Sequence, residues 1–313
     1  LNLFQLKIYK IKILKSYKTM MKNKLKIWFS DFWGDWQFDD NYFYNLLSTK
    51  YDVVLHKENP DILIFSCFSD VHKSYDGGKT IKVQFLAENM RPDFNNCHYA
   101  INFDYMDGEK NYRLPLWALH LNWFDRPYRP ERDQAYLHNV NDFLNKNISK
   151  VPKSKFCSFV ASQTKGKRLE FVPKLYQYKK IDCAGAVYQN VPRISGRGDE
   201  IQKVIFLNDY KFNISFENST HPGYCTEKII HSMFANCIPV YWGDPLVHQD
   251  FNENSFLNWH KFGSDEAFIE QIIKIDNDAN LYKDIINQPW FKDNKIPDFV
   301  QPESVLSFFE KFI

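Results

Sequence analysis

Apolar runs of four to six residues recur through the first third of the chain, at 25–30, 52–55, 62–65 and 81–86. They are too short for core helices and rich in Ile, Val, Leu and Phe, so they predict buried strands. A segment with helical spacing at 42–48 falls between the first two, and extended runs follow at 99–104 and 113–117. Strands alternating with helix-like segments point to a largely parallel sheet. A helix is expected over 131–145, then a polar linker at 147–154. The pattern restarts with a strand at 156–161, a helix at 168–178, a helix at 199–207 and a strand at 211–216. Three helices finish the chain at 266–275, 281–287 and 304–312, punctuated by Pro289 and Pro297.

The densest polar chemistry sits between two apolar strands, 211–216 and 237–241. A Pro/Gly-containing loop, 218–223, and a helix, 226–234, connect them, which makes one βαβ unit. Glu217, Asn218, Ser219, Tyr224, Glu227 and Lys228 gather at the strand-to-helix junction, where open α/β sheets bind ligands. Thr226 is placed as the N-cap. The unpaired N–H groups of the first turn, helped by Lys228, suit an anion such as a phosphate. Spacing alone is equally consistent with a capped core helix carrying a surface lysine.

Composition narrows the class. Of 313 residues, 44 % are apolar and 25 % charged, as in an ordinary globular protein, and the length allows two domains with real cores. The net charge of +2 hides an asymmetry: residues 1–26 hold eight lysines and no acid, leaving 32 basic against 38 acidic residues in the remainder. A body with that balance does not read as a nucleic-acid binder. Lysine interrupts every apolar run of residues 1–22, so they predict neither a membrane span nor a clean signal peptide. Adjacent Met20 and Met21 read as the natural start, with the preceding stretch as upstream translation or a disordered tail. A basic helix lying on a membrane surface is the functional alternative. The six cysteines form no CxxC pair, and they read as buried free thiols of a reducing, cytoplasmic compartment. Asn218-Ser219-Thr220 is a formal glycosylation sequon, awkward in a secreted protein and harmless in the cytosol.

Longer motifs say more. The segment FENS at 216–219, Tyr224, TEKI at 226–229 and CIPVYWG at 237–243 resemble the signature of the α-1,3/4-fucosyltransferases, glycosyltransferase family 10. Only Cys225 departs, standing where an aliphatic residue is usual. Upstream, FLAENMRPDF at 85–94, YAINFD at 99–104 and RLPLW at 113–117 resemble the same family, and the likeness covers roughly 25–260. It implies a GT-B architecture of two Rossmann-like domains facing across a cleft. The expected divisions are 1–22 as a tail, 23–150 for the acceptor and 151–313 for the donor, with the last helix packing back on the first domain.

The implied activity is inverting transfer of L-fucose from GDP-fucose to a hydroxyl of N-acetylglucosamine, most simply an α-1,3 transfer to an N-acetyllactosamine-type glycan. Glu88 matches the family's proposed catalytic base, although a glutamate after a strand also reads as a solvated loop acid. Arg168 matches the arginine on the donor diphosphate, or else is a solvated helix start. Arg168, Lys228 and the helix N-terminus at Thr226 would stabilise the negative charge growing on the leaving GDP without a metal, and Asn218, Tyr224 and Lys228 are placed to hold the ribose and phosphates. Glu227 either joins them or stabilises positive charge on the fucose ring. Asp182, Gly185 and Asn190 resemble a structural strand and turn of the family.

No resident cofactor is expected, leaving a divalent metal at most a stimulatory role. Asp276-Asn277-Asp278 reads as a turn or helix cap rather than a metal-binding DxD, and Gly196-Arg197-Gly198 as a turn. No Cys/His set has zinc spacing, and His56, His72, His98 and His120 read as ordinary histidines. Trp33, Trp36 and Trp123 are candidates for stacking on an acceptor sugar. The rival readings are a GT-B transferase of another nucleotide sugar and a non-catalytic glycan- or nucleotide-binding protein.

Overall fold

The computed structural model describes residues 22–106, 108–124, 138–145, 153–194 and 200–313. The basic tail, much of the 131–145 helix, most of the linker and the Gly196-Arg197-Gly198 turn lie outside them. Two compact units emerge: one runs to Gln84 with Phe94–His98, the other comprises Phe85–Asp93 and Tyr99–Ile313.

The first unit is built on β1 (Lys24–Ser30), α1 (Tyr42–Ser48), β2 (Asp52–Leu55), β3 (Ile62–Phe65) and β4 (Ile81–Phe85). The strands are parallel in the order β2-β1-β3-β4. β3 is buried along its whole length, as its unbroken apolar run requires. β1 turns Leu25, Ile27 and Phe29 into the core. Asn41 caps α1 by accepting from Tyr44 N at 2.9 Å, and α1 buries Phe43, Leu46 and Leu47. Asp31, in the left-handed region at φ 59°, ends β1. Its carboxylate accepts from Val71 N at 2.8 Å and His72 N at 2.9 Å, closing the strand-end loops over one another. The aromatic loop packs on itself: Phe32 stacks on Trp36 at 3.8 Å, and Trp33 meets Trp36 edge-on at 5.0 Å.

The second unit starts with a short parallel pair, β5 (Tyr99–Asn102) and β6 (Asn111–Arg113). The strand expected at 113–117 does not extend past Arg113. Pro115 precedes a 3-10 turn, Leu116–His120, which buries Trp117 and brings its Nε1 to Asp250 Oδ2 at 2.9 Å. β7 (Leu121–Asn122) pairs with β8 (His138–Asn139), and α2 is Val140–Leu144. The described end of the 131–145 segment is thus partly strand: the side chain of Asn139 accepts from Asn141 N at 2.8 Å and caps a helix that begins only afterwards.

A five-stranded parallel sheet forms the core of this unit, in the order β10-β9-β11-β12-β13. These strands are β9 (Lys155–Phe159), β10 (Ile181–Cys183), β11 (Tyr210–Phe216), β12 (Ile238–Trp242) and β13 (Leu257–Asn258). β11 and β12 run in register from Phe212↔Ile238 to Phe216↔Trp242. The helices are α3 (Arg168–Tyr176), α4 (Glu200–Leu207), α5 (Glu227–Phe234), α6 (Asp265–Asn277), α7 (Ala279–Ile286) and α8 (Pro302–Phe309).

α3 contains Pro173, which has no N–H to return to the carbonyl of Leu169. The hydroxyl of Tyr188 donates to that carbonyl instead, at 2.9 Å. After α8, Phe312 stacks on Tyr99 at 4.0 Å, while Phe308 meets Tyr112 at 5.2 Å. The Asp-Asn-Asp motif is structural, as expected. Asp276 holds Lys211 at 2.8 Å and Lys179 at 3.1 Å, and Asp278 caps α7 through Asn280 N and Leu281 N. Five of the six cysteines, all but Cys67, are buried. Among the described residues, no helix is long and apolar enough to cross a membrane.

Candidate active site

The site is assembled where β9, β10 and β11 end. Glu217 follows β11, continues its ladder through N–H to Trp242 O at 2.8 Å, and is fully buried. Such a carboxylate must be compensated. Its Oε1 accepts from Thr226 N at 2.8 Å, its Oε2 accepts from Thr226 Oγ1 at 2.7 Å, and Lys228 Nζ donates to Oε2 at 2.9 Å. Gly243 leaves the room: a Cβ there would lie 2.4 Å from Glu217 Cγ. Thr226 does occupy the N-cap position of α5, but its hydroxyl makes no capping bond: it donates to Glu217 and accepts from Lys228 Nζ at 2.8 Å. The anchor of the junction is therefore an internal ion pair, and Lys228 is no surface lysine.

Arg168 opens α3 and is nearly fully buried. Its Nε donates to Lys165 O at 2.8 Å, and its NH2 donates to Asn218 Oδ1. The loop before α3 lies close against the loop after β11. At Gly166, with φ +82°, a Cβ would come within 2.7 Å of Asn218 O, so glycine is required both by its backbone and by this approach.

Arg168, Asn218, Glu227 and Lys228 line one cavity of about 260 Å³. Ser162 and Gln163 from the loop after β9, Gly185 after β10, Glu200 and Lys203 of α4, and His231 of α5 complete its wall. This is the strand-end crevice where α/β sheets hold ligands. Burial depresses Arg168. For Lys228 burial works downward, but Glu217 and Glu227 outweigh it and hold the ammonium above its ordinary range. Burial would raise Glu227, yet Lys228 and Lys203 hold it well below the usual carboxylate range. At neutral pH the cavity therefore presents guanidinium and ammonium groups beside a carboxylate, a wall suited to a phosphorylated, hydrogen-bonding ligand.

Two of the predicted site residues stand apart from this cavity wall. Tyr224 is buried against Phe103 at 5.0 Å, and its hydroxyl is pushed up by burial and by the charge on Glu217. Glu88 is exposed on the loop after β4. That loop is tied to the site's own loop, since Asn89 Nδ2 donates to Ser219 Oγ at 2.7 Å. Asp104 braces the same region by pairing with His221 at 2.8 Å and Arg91 at 3.2 Å. Of the tryptophans proposed for sugar stacking, Trp36 already lies face to face with Phe32, and Trp123 donates its Nε1–H to Ala118 O at 2.8 Å.

Sequence reasoning gave Glu217 no role, although it stands inside the recognised motif. Lys203 was missed because α4 read only as a packing helix. His120 is not an ordinary isolated core histidine: its Nδ1 lies 3.5 Å from Glu200 Oε2, with His231 Nε2 3.9 Å from the same oxygen. These three are the group among the described residues with metal-ligand chemistry and spacing.

Asp244 anchors the far end of the loop. It is fully buried, and its Oδ1 accepts from Gly223 N and Leu246 N, each at 2.7 Å. Burial outweighs those bonds and pushes it up to about 6. An acid raised on folding makes its full contribution below its unfolded pKa and loses it as pH rises through the folded value. Stability at this position should thus fall between pH ~4 and pH ~6. Asp244→Asn, which can keep both accepted bonds, is expected to stabilise the protein by about 3 kcal/mol at pH 7. The gain should vanish near pH ~4 when urea midpoints are compared across pH.

Residues 27–120 match the profile of the α-(1,3)-fucosyltransferase FucT N-terminal domain, and residues 150–306 that of the glycosyltransferase family 10 (fucosyltransferase) C-terminal domain. The chain belongs to glycosyltransferase family 10. Among family-10 relatives, the α-(1,3)-fucosyltransferase FucT of Helicobacter pylori is 32 % identical over 292 residues, covering 84 % of this chain and 59 % of that protein. The chain thus spans well under two thirds of that relative. A crystal structure of an α1,3-fucosyltransferase superposes with a TM-score of 0.75 at 27 % identity, over 93 % of this chain and 90 % of the other. A crystal structure of an α1,3-fucosyltransferase with GDP-fucose gives 0.72 at 26 %, over 94 % and 91 %. The family-10 fold here is GT-B-like, with two parallel-sheet, Rossmann-like cores.

Proposed function

We propose that this family-10 chain is an inverting fucosyltransferase that moves L-fucose from GDP-fucose to a hydroxyl of N-acetylglucosamine in an N-acetyllactosamine-type glycan, in α-1,3 linkage. The observation that carries the reading is the cavity in which Arg168, Asn218 and Lys228 converge with Glu227 at the ends of the parallel strands. Donor binding is assigned to residues 151–313 and acceptor binding to 23–150. Arg168 and Lys228 take the diphosphate, and Asn218 and Glu227 the polar groups beside it. Tyr224 supports the loop from within its packing against Phe103.

In the reaction, the acceptor oxygen bonds to the anomeric carbon of fucose as the bond from that carbon to the phosphate oxygen breaks. The bonding pair leaves with GDP, and the proton of the acceptor hydroxyl passes to Glu88. Lys228 is already ordered by Glu217 and Thr226, so it meets the charge growing on the diphosphate without reorganising. A cytoplasmic setting, where buried cysteines stay reduced, fits this reading, with any membrane contact peripheral and through the basic residues 1–22.

Incubation with GDP-fucose and N-acetyllactosamine, its β1-3 isomer and free N-acetylglucosamine, read by mass spectrometry, is expected to add one deoxyhexose to an acceptor. Calorimetry should show GDP binding more tightly than UDP. Preference for UDP would assign the cavity to another nucleotide sugar. Binding without transfer to any acceptor would leave a nucleotide-binding protein.

A further inference from the structure

We propose that His120, Glu200 and His231 form a binding site for one divalent transition-metal ion of the zinc class. The inference is independent of the donor assignment, because it concerns a metal alone and these three side chains. They come from separate elements: His120 ends the 3-10 turn, Glu200 opens α4, and His231 lies on α5. The ligand atoms converge, with Glu200 Oε2 3.5 Å from His120 Nδ1 and 3.9 Å from His231 Nε2, and all three within 4.8 Å of one another.

The protein itself satisfies the polar atoms of these side chains poorly. His231 is 1 % exposed, and neither of its ring nitrogens has a hydrogen-bond partner among the described residues. His120 Nδ1 and Glu200 Oε2 are buried with only their long 3.5 Å contact to each other. Buried polar atoms in folded proteins are nearly always satisfied, so such a concentration points to something that belongs there. An ion pair between His120 and Glu200 would satisfy only those two and leave His231 bare.

The donor set selects the ion. Two imidazole nitrogens and one carboxylate oxygen suit Zn²⁺, Co²⁺ or Mn²⁺, whereas Mg²⁺ and Ca²⁺ take oxygen cages. Tetrahedral ligands at about 2.1 Å from a metal stand about 3.4 Å apart, so the two spacings from Glu200 need to close only slightly. Glu200 and His231 also face the cavity, which leaves a fourth position open to water or to a group bound there. Glu227 favours a cation here, and Lys203 opposes it. Once bound, the ion would clamp the 3-10 turn and α4 onto α5, whose first turn carries Glu227 and Lys228.

The test uses the full chain, stripped with chelator and titrated with Co²⁺ alone. One Co²⁺ per chain, with tetrahedral d–d absorption and displacement by Zn²⁺, is the expected result. His120→Asn and Glu200→Gln, checked for folding by circular dichroism, should each weaken Co²⁺ by more than the roughly 100-fold lost when an outer-shell partner is removed. X-ray absorption on the zinc-loaded wild type needs no variant and should show only nitrogen and oxygen neighbours at about 2.0–2.2 Å. Sulfur at about 2.3 Å would place the ion on a cysteine and overturn the proposal. So would a stripped protein that takes up no stoichiometric Co²⁺, or folded variants that bind it as the wild type does.

Discussion

Lys228→Met is expected to lower folding stability by about 3–5 kcal/mol, because it leaves the fully buried Glu217 carboxylate without its counter-charge. The same change should weaken GDP about 10- to 100-fold, the worth of a charge-assisted hydrogen bond to a phosphate. A second substitution separates the two effects. Glu217→Gln added to Lys228→Met removes the orphaned charge while keeping an acceptor for Thr226 N, so most of the stability should return. The GDP affinity should not return, because nothing replaces the ammonium. Denaturant unfolding and calorimetry on both proteins check this. Full GDP affinity in the stable double variant would remove Lys228 from the phosphate site.

Glu88→Gln is expected to lower turnover by about 10²–10⁴-fold, the usual contribution of a positioned base. GDP-fucose affinity should be unchanged, because Glu88 lies outside the cavity that holds Arg168 and Lys228. Stability should stay within about 0.5 kcal/mol, since the residue is exposed. Turnover with saturating GDP-fucose and acceptor, set beside a separate donor binding isotherm, reads both quantities. Wild-type turnover would withdraw the base assignment, and a loss of donor affinity would move Glu88 into the donor site.

Much of the fold was legible wherever burial alone decides structure. The run at 62–65 and the helical segment at 42–48 take the expected bounds, because an unbroken apolar run or a helical stripe has one place to go; 52–55 also takes its bounds, but as an edge strand that is only half-buried. Reading failed where a side chain does something other than pack. At 113–117 the apolar run looked like a strand, yet Pro115 and the reach of Trp117 to Asp250 make a 3-10 turn. Thr226 was correctly placed as an N-cap, but its hydroxyl is captured by a carboxylate nine positions earlier. Asn218, Glu227 and Lys228 were found together because a contiguous motif and the strand-end rule name the same crevice, and the family resemblance added Arg168, which lines it too. His120, Glu200 and His231 had no such signature. Their proximity is created by the packing of a turn and two helices, and no local spacing encodes it.

Tyr188 and Pro173 should behave as a single mutational unit. The hydroxyl of Tyr188 answers a carbonyl that is left open only because position 173 is proline, across 19 residues of chain. Tyr188→Phe is expected to cost about 1 kcal/mol or less by denaturant unfolding in this background, and close to nothing once residue 173 can donate its own N–H. The turn so protected is the one in which Arg168 begins α3, so this epistasis reaches the Arg168 side of the cavity from a tyrosine that does not line it.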